Sequence, residues 1–213
     1  MKRFSIVYLV VALIAVFSCT EEKEKVSKLG TIDYSIKATV TNSKGDAVYL
    51  EEIRDKQWIV IDSTKLTDGT FELSGNIPAV DIYRLRFAEN AFVPLLLNAD
   101  KIVFTVDLNQ PFETIVFSGS KENETYADFN KKMLGFNKKH EALASMLDSL
   151  KKGVNNPILA TNYMNEIKAT EAEMKVFVEQ SISANTGSPI VFSMLSYADW
   201  DNEFAFIETA TTA

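Results

Sequence analysis

Ile32-Asp33-Tyr34-Ser35-Ile36-Lys37-Ala38 is the stretch that decides the class of fold, because apolar and polar residues alternate along its whole length. Successive side chains of a β-strand point to opposite faces of the sheet, so a period of two collects the apolar side chains on one face. The stretch therefore predicts a strand that buries one face in a core and exposes the other to water.

Similar β-rich runs continue as far as Ser118, at a spacing of about ten residues. Tight-turn residues separate several of them, as in Asn42–Asp46, Asp68-Gly69 and Asn98–Lys101. The predicted strands are Asp33–Val40, Ala47–Ile53, Trp58–Lys65, Thr70–Leu73, Ile82–Phe87, Phe92–Leu97, Ile102–Asp107 and Thr114–Phe117. We therefore predict an antiparallel β-sandwich of seven to eight strands over residues 31–119.

Beyond the sandwich, mostly apolar residues recur at alternating steps of three and four, which is the period of one helix face. The first stripe is Tyr126, Phe129, Met133, Phe136, His140, Leu143, Leu147 and Leu150, and the second is Ala160, Tyr163, Ile167, Thr170, Met174, Phe177 and Ser181. Lys151–Pro157 separates them with a glycine and a proline. This predicts an antiparallel helical hairpin over residues 120–186, then a short helix from Ser188 to Tyr197 and a tail within residues 187–213. The predicted fold class is α+β.

Residues 1–18 have the layout of a secretory signal peptide. Lys2-Arg3 supplies positive charge, and Ile6–Phe17 is an uninterrupted apolar run. As a helix this run would span about 18 Å, well short of the ~30 Å hydrocarbon core of a membrane. A cleaved signal is therefore predicted rather than a permanent transmembrane helix.

Cys19 is the only cysteine, which excludes an internal disulfide, a Cys-x-x-Cys redox pair and a cysteine-built zinc site. Val16-Phe17-Ser18-Cys19 resembles the bacterial lipobox, although Phe17 is bulkier than the usual small residue and Val16 replaces leucine. The resemblance implies that Cys19 is lipidated and becomes the first mature residue. Two or three acyl chains anchor a protein stably. The alternatives are an ordinary signal cleaved nearby and an uncleaved anchor.

Residues 19–30 are predicted to form a charged tether, because Thr20–Lys28 has almost no apolar content for a core. Its acidic residues also resemble the surface-export signal of lipoproteins from anaerobic Gram-negative gut bacteria, although any tether of mixed charge would look similar. We expect the protein at the bacterial outer membrane, facing the periplasm or the cell surface.

The charge balance excludes several classes of partner. The chain has 22 Lys and Arg against 29 Asp and Glu, and loss of residues 1–18 would remove Lys2 and Arg3 and change the net charge from −7 to −9. An acidic surface without basic clusters argues against nucleic acid and against electrostatic docking on anionic lipid. The membrane is therefore expected as a partner only through the N-terminal lipid.

Several short motifs within residues 31–130 resemble one uncharacterised family. They are Val48-Tyr49-Leu50, Ile61-Asp62-Ser63-Thr64, Asp68-Gly69-Thr70-Phe71-Glu72-Leu73-Ser74-Gly75, Tyr83-Arg84-Leu85 and Phe117-Ser118-Gly119-Ser120, with Asn123 and Tyr126. The family is an N-terminal β-domain of unknown function in lipoproteins of anaerobic Gram-negative gut bacteria. In longer relatives a helical segment and a thioredoxin-like domain, of the peroxiredoxin or thiol:disulfide-interchange type, often follow it. That domain and its cysteines are missing from these residues, so the redox chemistry that the resemblance implies for the relatives is not expected here.

Candidates for catalysis or metal binding are weak. His140 is the sole histidine, but its place in the first stripe favours a residue of the helix seam. Asp199-x-Asp201-x-Glu203 resembles the start of a calcium loop, yet Phe204 stands where that loop needs glycine. Asp62 and Asp68 are interpreted as a hairpin acceptor and a turn former. We therefore predict no catalytic residue, no metal and no cofactor.

Two surface features stay open. Asp62-Ser63-Thr64 and Asp148-Ser149-Leu150 resemble the short O-glycosylation acceptor of those bacteria, which makes Ser63 and Ser149 candidate sites. Exposed tryptophans such as Trp58 or Trp200 would stack on a sugar, although a place in the core is the simpler interpretation.

The leading interpretation is a lipid-anchored, non-enzymatic protein of the cell envelope that acts as a binding or spacing module for an unidentified protein or glycan. A first alternative is that the chain is the non-catalytic N-terminal part of a longer thioredoxin-like thiol:disulfide oxidoreductase. A second is a glycan- or peptide-binding lipoprotein, which predicts a concave aromatic patch on the sandwich.

Overall fold

Two four-stranded β-sheets pack face to face and are followed by helices, which confirms the predicted α+β class and the sandwich. The computed structural model describes residues 31–153 and 156–198. Sheet A has the strand order β4-β1-β7-β8, and sheet B has the order β3-β2-β5-β6. The strands are β1 (Ile32–Thr41), β2 (Ala47–Arg54), β3 (Gln57–Lys65), β4 (Thr70–Ile77), β5 (Asp81–Ala88), β6 (Ala91–Leu97), β7 (Lys101–Asp107) and β8 (Val116–Ser118).

Strand β1 contains the alternating stretch that predicted the sandwich. Tyr34, Ile36, Ala38 and Val40 are buried, and the polar residues between them are exposed. β1 pairs with β4 in antiparallel orientation but with β7 in parallel orientation. This parallel pair departs from the antiparallel prediction, because the chain visits sheet B twice between β1 and β7 and re-enters sheet A in the direction of β1. The other ladders among the described strands are antiparallel.

Side chains from both sheets meet in the core of the sandwich. The ring of Phe71 lies edge to face with those of Phe87 and Phe104, at centroid distances of 6.0 and 6.1 Å. Tyr34 lies opposite Gly75, where a Cβ would come within 2.9 Å of the tyrosine hydroxyl oxygen. The close approach of the ring therefore requires glycine at this position.

The last strand differs from the prediction. A short helix, α1 (Pro111–Thr114), precedes β8, so the strand spans Val116–Ser118 and not Thr114–Phe117. Proline suits the first turn of a helix, where no N–H donor is needed. Thr114 donates its backbone N–H and its hydroxyl to the Gln110 carbonyl oxygen, at 3.1 and 2.8 Å. These bonds hold Thr114 in the helical turn.

Helices α2 (Lys121–Lys152) and α3 (Pro157–Ala184) form the helical hairpin. A short helix, α4 (Ile190–Met194), and a 3-10 turn, Leu195–Tyr197, follow in the range predicted for a third helix. The first predicted stripe is buried in the half of α2 nearer the sandwich and only half-buried beyond Leu143. The hairpin is therefore well packed only where it lies near the sandwich and α4.

The buried face of α3 is rotated relative to the predicted stripe. Val178 and Ile182 are buried, whereas the predicted Phe177 and Ser181, one residue earlier, are only partly buried. Both buried residues belong to a second core that includes side chains of α4. Because α4 packs on α3 from the side, the helix turns toward it, and this contact has no signal in the periodicity of α3 alone.

Asn123 joins the hairpin to the sandwich at the outer edge of β6. Its buried amide accepts a hydrogen bond from the Leu96 N–H and donates one to the Leu96 carbonyl oxygen, both at 2.8 Å. It also donates to the Ser120 hydroxyl at 3.0 Å. The amide thereby replaces a neighbouring strand and satisfies backbone groups that are buried under α2.

Candidate functional site

The outer face of sheet B carries a cluster of charged and aromatic side chains that we call the arginine–aromatic face. The alternation of the strands places Val48, Leu50 and Leu85 in the core and directs the residues between them outward. The face consists of Tyr49 and Glu51 of β2, Trp58 of β3, Arg84 and Arg86 of β5 and Phe92 of β6. It is therefore built on four strands of one rigid sheet.

The strand register brings the charged members together. Glu51 lies between Val60 of β3 and Arg84 of β5, and Tyr49 lies opposite Arg86. The β2–β3 register shifts beside Glu51, which marks a β-bulge. Bulges increase the local twist and redirect side chains, and they are frequent next to functional sites.

Glu51 is the centre of the cluster. Only 4% of its side chain is exposed, and its two carboxylate oxygens accept hydrogen bonds from Nε of Arg84 and Nε of Arg86, both at 2.6 Å. A buried carboxylate is costly unless it is paired and hydrogen-bonded. Two guanidinium groups on one carboxylate meet that requirement and leave the three side chains with one excess positive charge.

Two opposing effects set the pKa of Glu51. Burial disfavours the charged form and raises the pKa, but the hydrogen bonds from Arg86 and Arg84 and their positive charges together outweigh it. The pKa of Glu51 therefore lies below its ordinary value of 4.5, and the carboxylate is ionised at neutral pH.

Aromatic rings hold the arginines from the sides. The guanidinium carbon of Arg84 lies 4.1 Å from the ring centre of Trp58 and 5.5 Å from that of Phe92. That of Arg86 lies 4.4 Å from the ring centre of Tyr49. The side chains of Glu51 and Arg84 are 4% and 19% exposed, and the residue Trp58 is 39% exposed. The carboxylate is thus deepest, and the indole ring is the most exposed of the three.

This arrangement is suited to recognition. Each arginine uses Nε for Glu51, which leaves its outer Nη groups as donors for a carboxylate, sulfate or phosphate. Ile53 and Val60 add exposed aliphatic surface beside Trp58. A ligand would therefore meet fixed rings, aliphatic groups and one net positive charge.

Sequence reasoning missed the face as a unit. The run Tyr83-Arg84-Leu85-Arg86 alternates core and outward residues, as does Val48-Tyr49-Leu50-Glu51, so each half of the cluster had a local signal. The two halves meet only because β2 pairs with β5, and these strands are not consecutive in the chain. Periodicity does not specify that pairing.

The structure separates the residues that the sequence raised as catalytic candidates. His140 is half-buried on α2, and its Nε2 lies 3.2 Å from Oε1 of Glu171 on α3. Asp62 is not a hairpin acceptor, which corrects the prediction: it lies within β3 and accepts a hydrogen bond from the Tyr34 hydroxyl at 2.6 Å. Burial first, and then this bond to Asp62, raise the pKa of Tyr34. Asp68 lies in a turn with a φ of 51°, as a turn former should.

The other candidates divide between exposed and undescribed positions. Ser63 is exposed on β3, and Ser149 on α2 donates its hydroxyl to the Ser145 carbonyl oxygen at 2.9 Å. Within residues 31–153 and 156–198, no group of His, Cys, Asp and Glu could hold a metal ion, and no helix is long and apolar enough to cross a membrane. The remaining predicted features lie outside the described residues: the signal peptide of residues 1–18, Cys19, the tether, Asp199–Glu203, Trp200 and the tail beyond residue 198.

Comparison with known proteins bears on the sandwich and its junction with the hairpin. Residues 34–126 match the family described as Domain of unknown function (DUF4369). No curated protein and no solved structure matches the chain. The matched range runs from β1 into α2 and includes the whole arginine–aromatic face and Asn123. Residues 34–126 are therefore similar to the DUF4369 family, a family of domains of unknown function, which confirms the motif resemblance.

Proposed function

We propose that this protein is a lipid-anchored, non-enzymatic binding module of the bacterial cell envelope and that the arginine–aromatic face is its binding surface. One observation carries the proposal: Glu51 is buried beneath two arginines and a tryptophan on the outside of a sheet. An ordinary solvated face needs no buried charge. A recognition surface does benefit from rings and donors that are fixed before the ligand arrives.

The sequence supports the lipid anchor. Cys19 follows the apolar run of the signal with only Ser18 between them, and residues 19–30 supply a charged tether before β1. Acyl chains on this cysteine would hold the sandwich close to a membrane without a transmembrane helix.

The chemistry of the face supports binding over catalysis. The face offers rings and guanidinium groups, and its one carboxylate is neutralised by Arg84 and Arg86. His140, the sole histidine, is paired with Glu171 on the hairpin. Neither place combines a nucleophile with a base.

The anchor is tested by metabolic labelling with a fatty-acid analogue. The native chain should take up the label and sediment with membranes, and Cys19→Ala should lose both properties. Thr20→Ala is the matched control and should keep both. A Cys19→Ala chain that still carries the label and stays with membranes would contradict the anchor.

The binding surface is tested by thermal unfolding of the purified full chain in detergent. An envelope extract from cells that lack the protein should raise its Tm, because a ligand that binds only the folded state stabilises it. Trp58→Ala should abolish the rise. Val103→Ala, which alters an exposed valine on the outer face of sheet A, should leave it intact. An equal rise in all three chains would refute this face as the binding surface.

A further inference from the structure

We infer that the ligand of the arginine–aromatic face is an oligosaccharide that carries acidic groups, either carboxylates or sulfates. This inference rests on the proposed function, since it names the ligand of the same surface. Trp58 would stack on a sugar ring, and Arg86 would bind an acidic substituent on a neighbouring sugar.

Trp58 is prepared for stacking. Arg84 lies 4.1 Å from the ring centre and is itself fixed on the buried Glu51. Trp58 remains 39% exposed as a residue even though the guanidinium packs against its ring. A sugar ring has flat, C–H-lined surfaces that pack on an aromatic face, and a ring already held in place loses little conformational entropy on binding.

Arg86 supplies the charge preference. Its side chain is 27% exposed, and its Nε is committed to Glu51, which leaves the outer Nη donors. A guanidinium group binds carboxylate and sulfate oxygens with charge-assisted hydrogen bonds. The chain as a whole has a net charge of −7, so an acidic ligand is repelled elsewhere and favoured at this locally positive cluster.

The geometry favours a saccharide over an extended peptide. Peptides that add to sheets bind through main-chain hydrogen bonds at an edge strand. At the centre of the face, β2 pairs with β3 and β5, so its backbone groups are already used within the sheet. The centre of the face therefore offers side chains only, and unpaired strand-edge groups of sheet B lie at β3, beside Trp58. A ligand with ring faces and acidic groups matches the side chains at the centre.

The length of the face indicates an oligomer. Trp58 pairs with Ile53 and Arg86 pairs with Tyr49, so the two are separated by four residues along β2 and by two strand spacings. With a rise of ~3.3 Å and a spacing of ~4.8 Å, their Cα atoms lie roughly 16 Å apart. The indole and the Arg86 guanidinium lie closer together than these Cα atoms, because both arginines converge on Glu51 and Arg84 contacts the Trp58 ring. A sugar on Trp58 and its neighbour in an oligosaccharide would contact both groups.

The test is a fluorescence titration of the full chain in detergent micelles. Trp200→Phe leaves Trp58 as the sole tryptophan, so its emission reports directly on the face. The probes are oligogalacturonate and the same oligomer with its carboxylates methyl-esterified. We expect saturable changes with both, with about tenfold tighter binding of the acidic form, the effect of one charge-assisted hydrogen bond.

Two arginine variants sharpen the test. Arg86→Gln should remove the preference for the acidic oligomer and leave the affinity for the ester unchanged. Arg54→Gln is the matched control, because Arg54 is exposed on the same sheet and pairs with Glu52 instead. It should change neither affinity.

Equal affinities for acid and ester, or no binding of the acid at millimolar concentration, would overturn the inference. Arg86-dependent binding of poly-glutamate or of phosphatidylglycerol vesicles, without binding of the oligosaccharide, would replace the ligand class and leave the proposed function standing. If, in addition, the envelope extract gave no rise in Tm that depends on Trp58, the proposed function would also be wrong.

Discussion

The two sheets share one core but present different outer faces. On sheet A, an outward ion pair between Lys37 and Glu72 is 65% and 71% exposed, which is typical of a solvated surface. On sheet B, the outward carboxylate of Glu51 is 4% exposed beneath two arginines. The hairpin covers one edge of this face and leaves the remainder open. The difference shows that the outward charges of sheet B are held in a buried cluster, whereas this ion pair on sheet A is solvated.

The largest loss of stability is expected at β6, the edge of sheet B that the hairpin covers. Asn123→Ala removes both hydrogen bonds to Leu96 and leaves its buried N–H and carbonyl without partners. We expect a loss of about 3 kcal/mol in the free energy of unfolding, from two unsatisfied buried groups. Denaturant titration measures the loss, and hydrogen exchange should show faster exchange in α2. Asn137→Ala, an exposed position on the same helix, should change little; a similar loss there would rule out the specific role of Asn123.

Glu51→Gln tests the centre of the arginine–aromatic face, which the hairpin leaves open. It leaves Arg84 and Arg86 without their carboxylate, and because both are partly exposed we expect a loss of about 2 kcal/mol at pH 7. The pKa of Glu51 is lower in the folded than in the unfolded chain, so its stabilisation is present above pH 4.5 and is lost as the pH falls through the folded pKa. Urea titrations at several pH values should show the two chains converging in acid. A difference that does not depend on pH would contradict an ionised Glu51.

Trp58→Ala tests how much the exposed indole of the arginine–aromatic face contributes to stability. It removes the cation–π contact with Arg84 and part of the packing of the indole on that guanidinium. We expect a loss of about 1 kcal/mol in the free energy of unfolding. Val103→Ala on sheet A should cost no more than about half of that, because it removes less buried surface. Thermal unfolding compares the two variants. A loss as large as that of Asn123→Ala would mean that Trp58 is a core residue and not an element of an open surface.

Glu72→Gln should have the smallest effect. Its ion pair with Lys37 is exposed to water and salt, so we expect a change below about 0.5 kcal/mol that disappears in 1 M NaCl. Urea titration at low and high salt measures it. If Glu72→Gln cost as much as Glu51→Gln, the contrast between the two faces would be lost.

Sequence periodicity predicted the architecture because burial repeats at fixed intervals. The period of two in Ile32–Ala38 identified β1, and the three-four steps from Tyr126 to Leu143 identified the buried face of α2. The parallel β1–β7 pair and the rotation of α3 depend on which elements become neighbours. That information lies in long-range contacts and not in any local repeat.

The candidate site was less accessible to sequence reasoning for the same reason. Glu51 and Arg84 are 33 residues apart and meet only through the β2–β5 ladder. Asn123 was named only as one residue of the family motif, and its bond to Leu96 required knowledge of where β6 ends. The lone histidine drew attention because of its chemistry, yet the structure places His140 beside Glu171 on the hairpin, away from the charged cluster of sheet B.

The most direct test of the central claim compares the two faces in the native envelope. Val60→Cys and Val103→Cys place a thiol on the outer face of sheet B and of sheet A, at exposed valines. Maleimide labelling rates are measured in isolated envelopes and again after purification in detergent. A bound ligand should slow labelling at position 60 severalfold in envelopes but not at position 103, and adding Trp58→Ala should remove that protection. Equal labelling of both positions in both preparations would contradict the claim that the arginine–aromatic face is the binding surface.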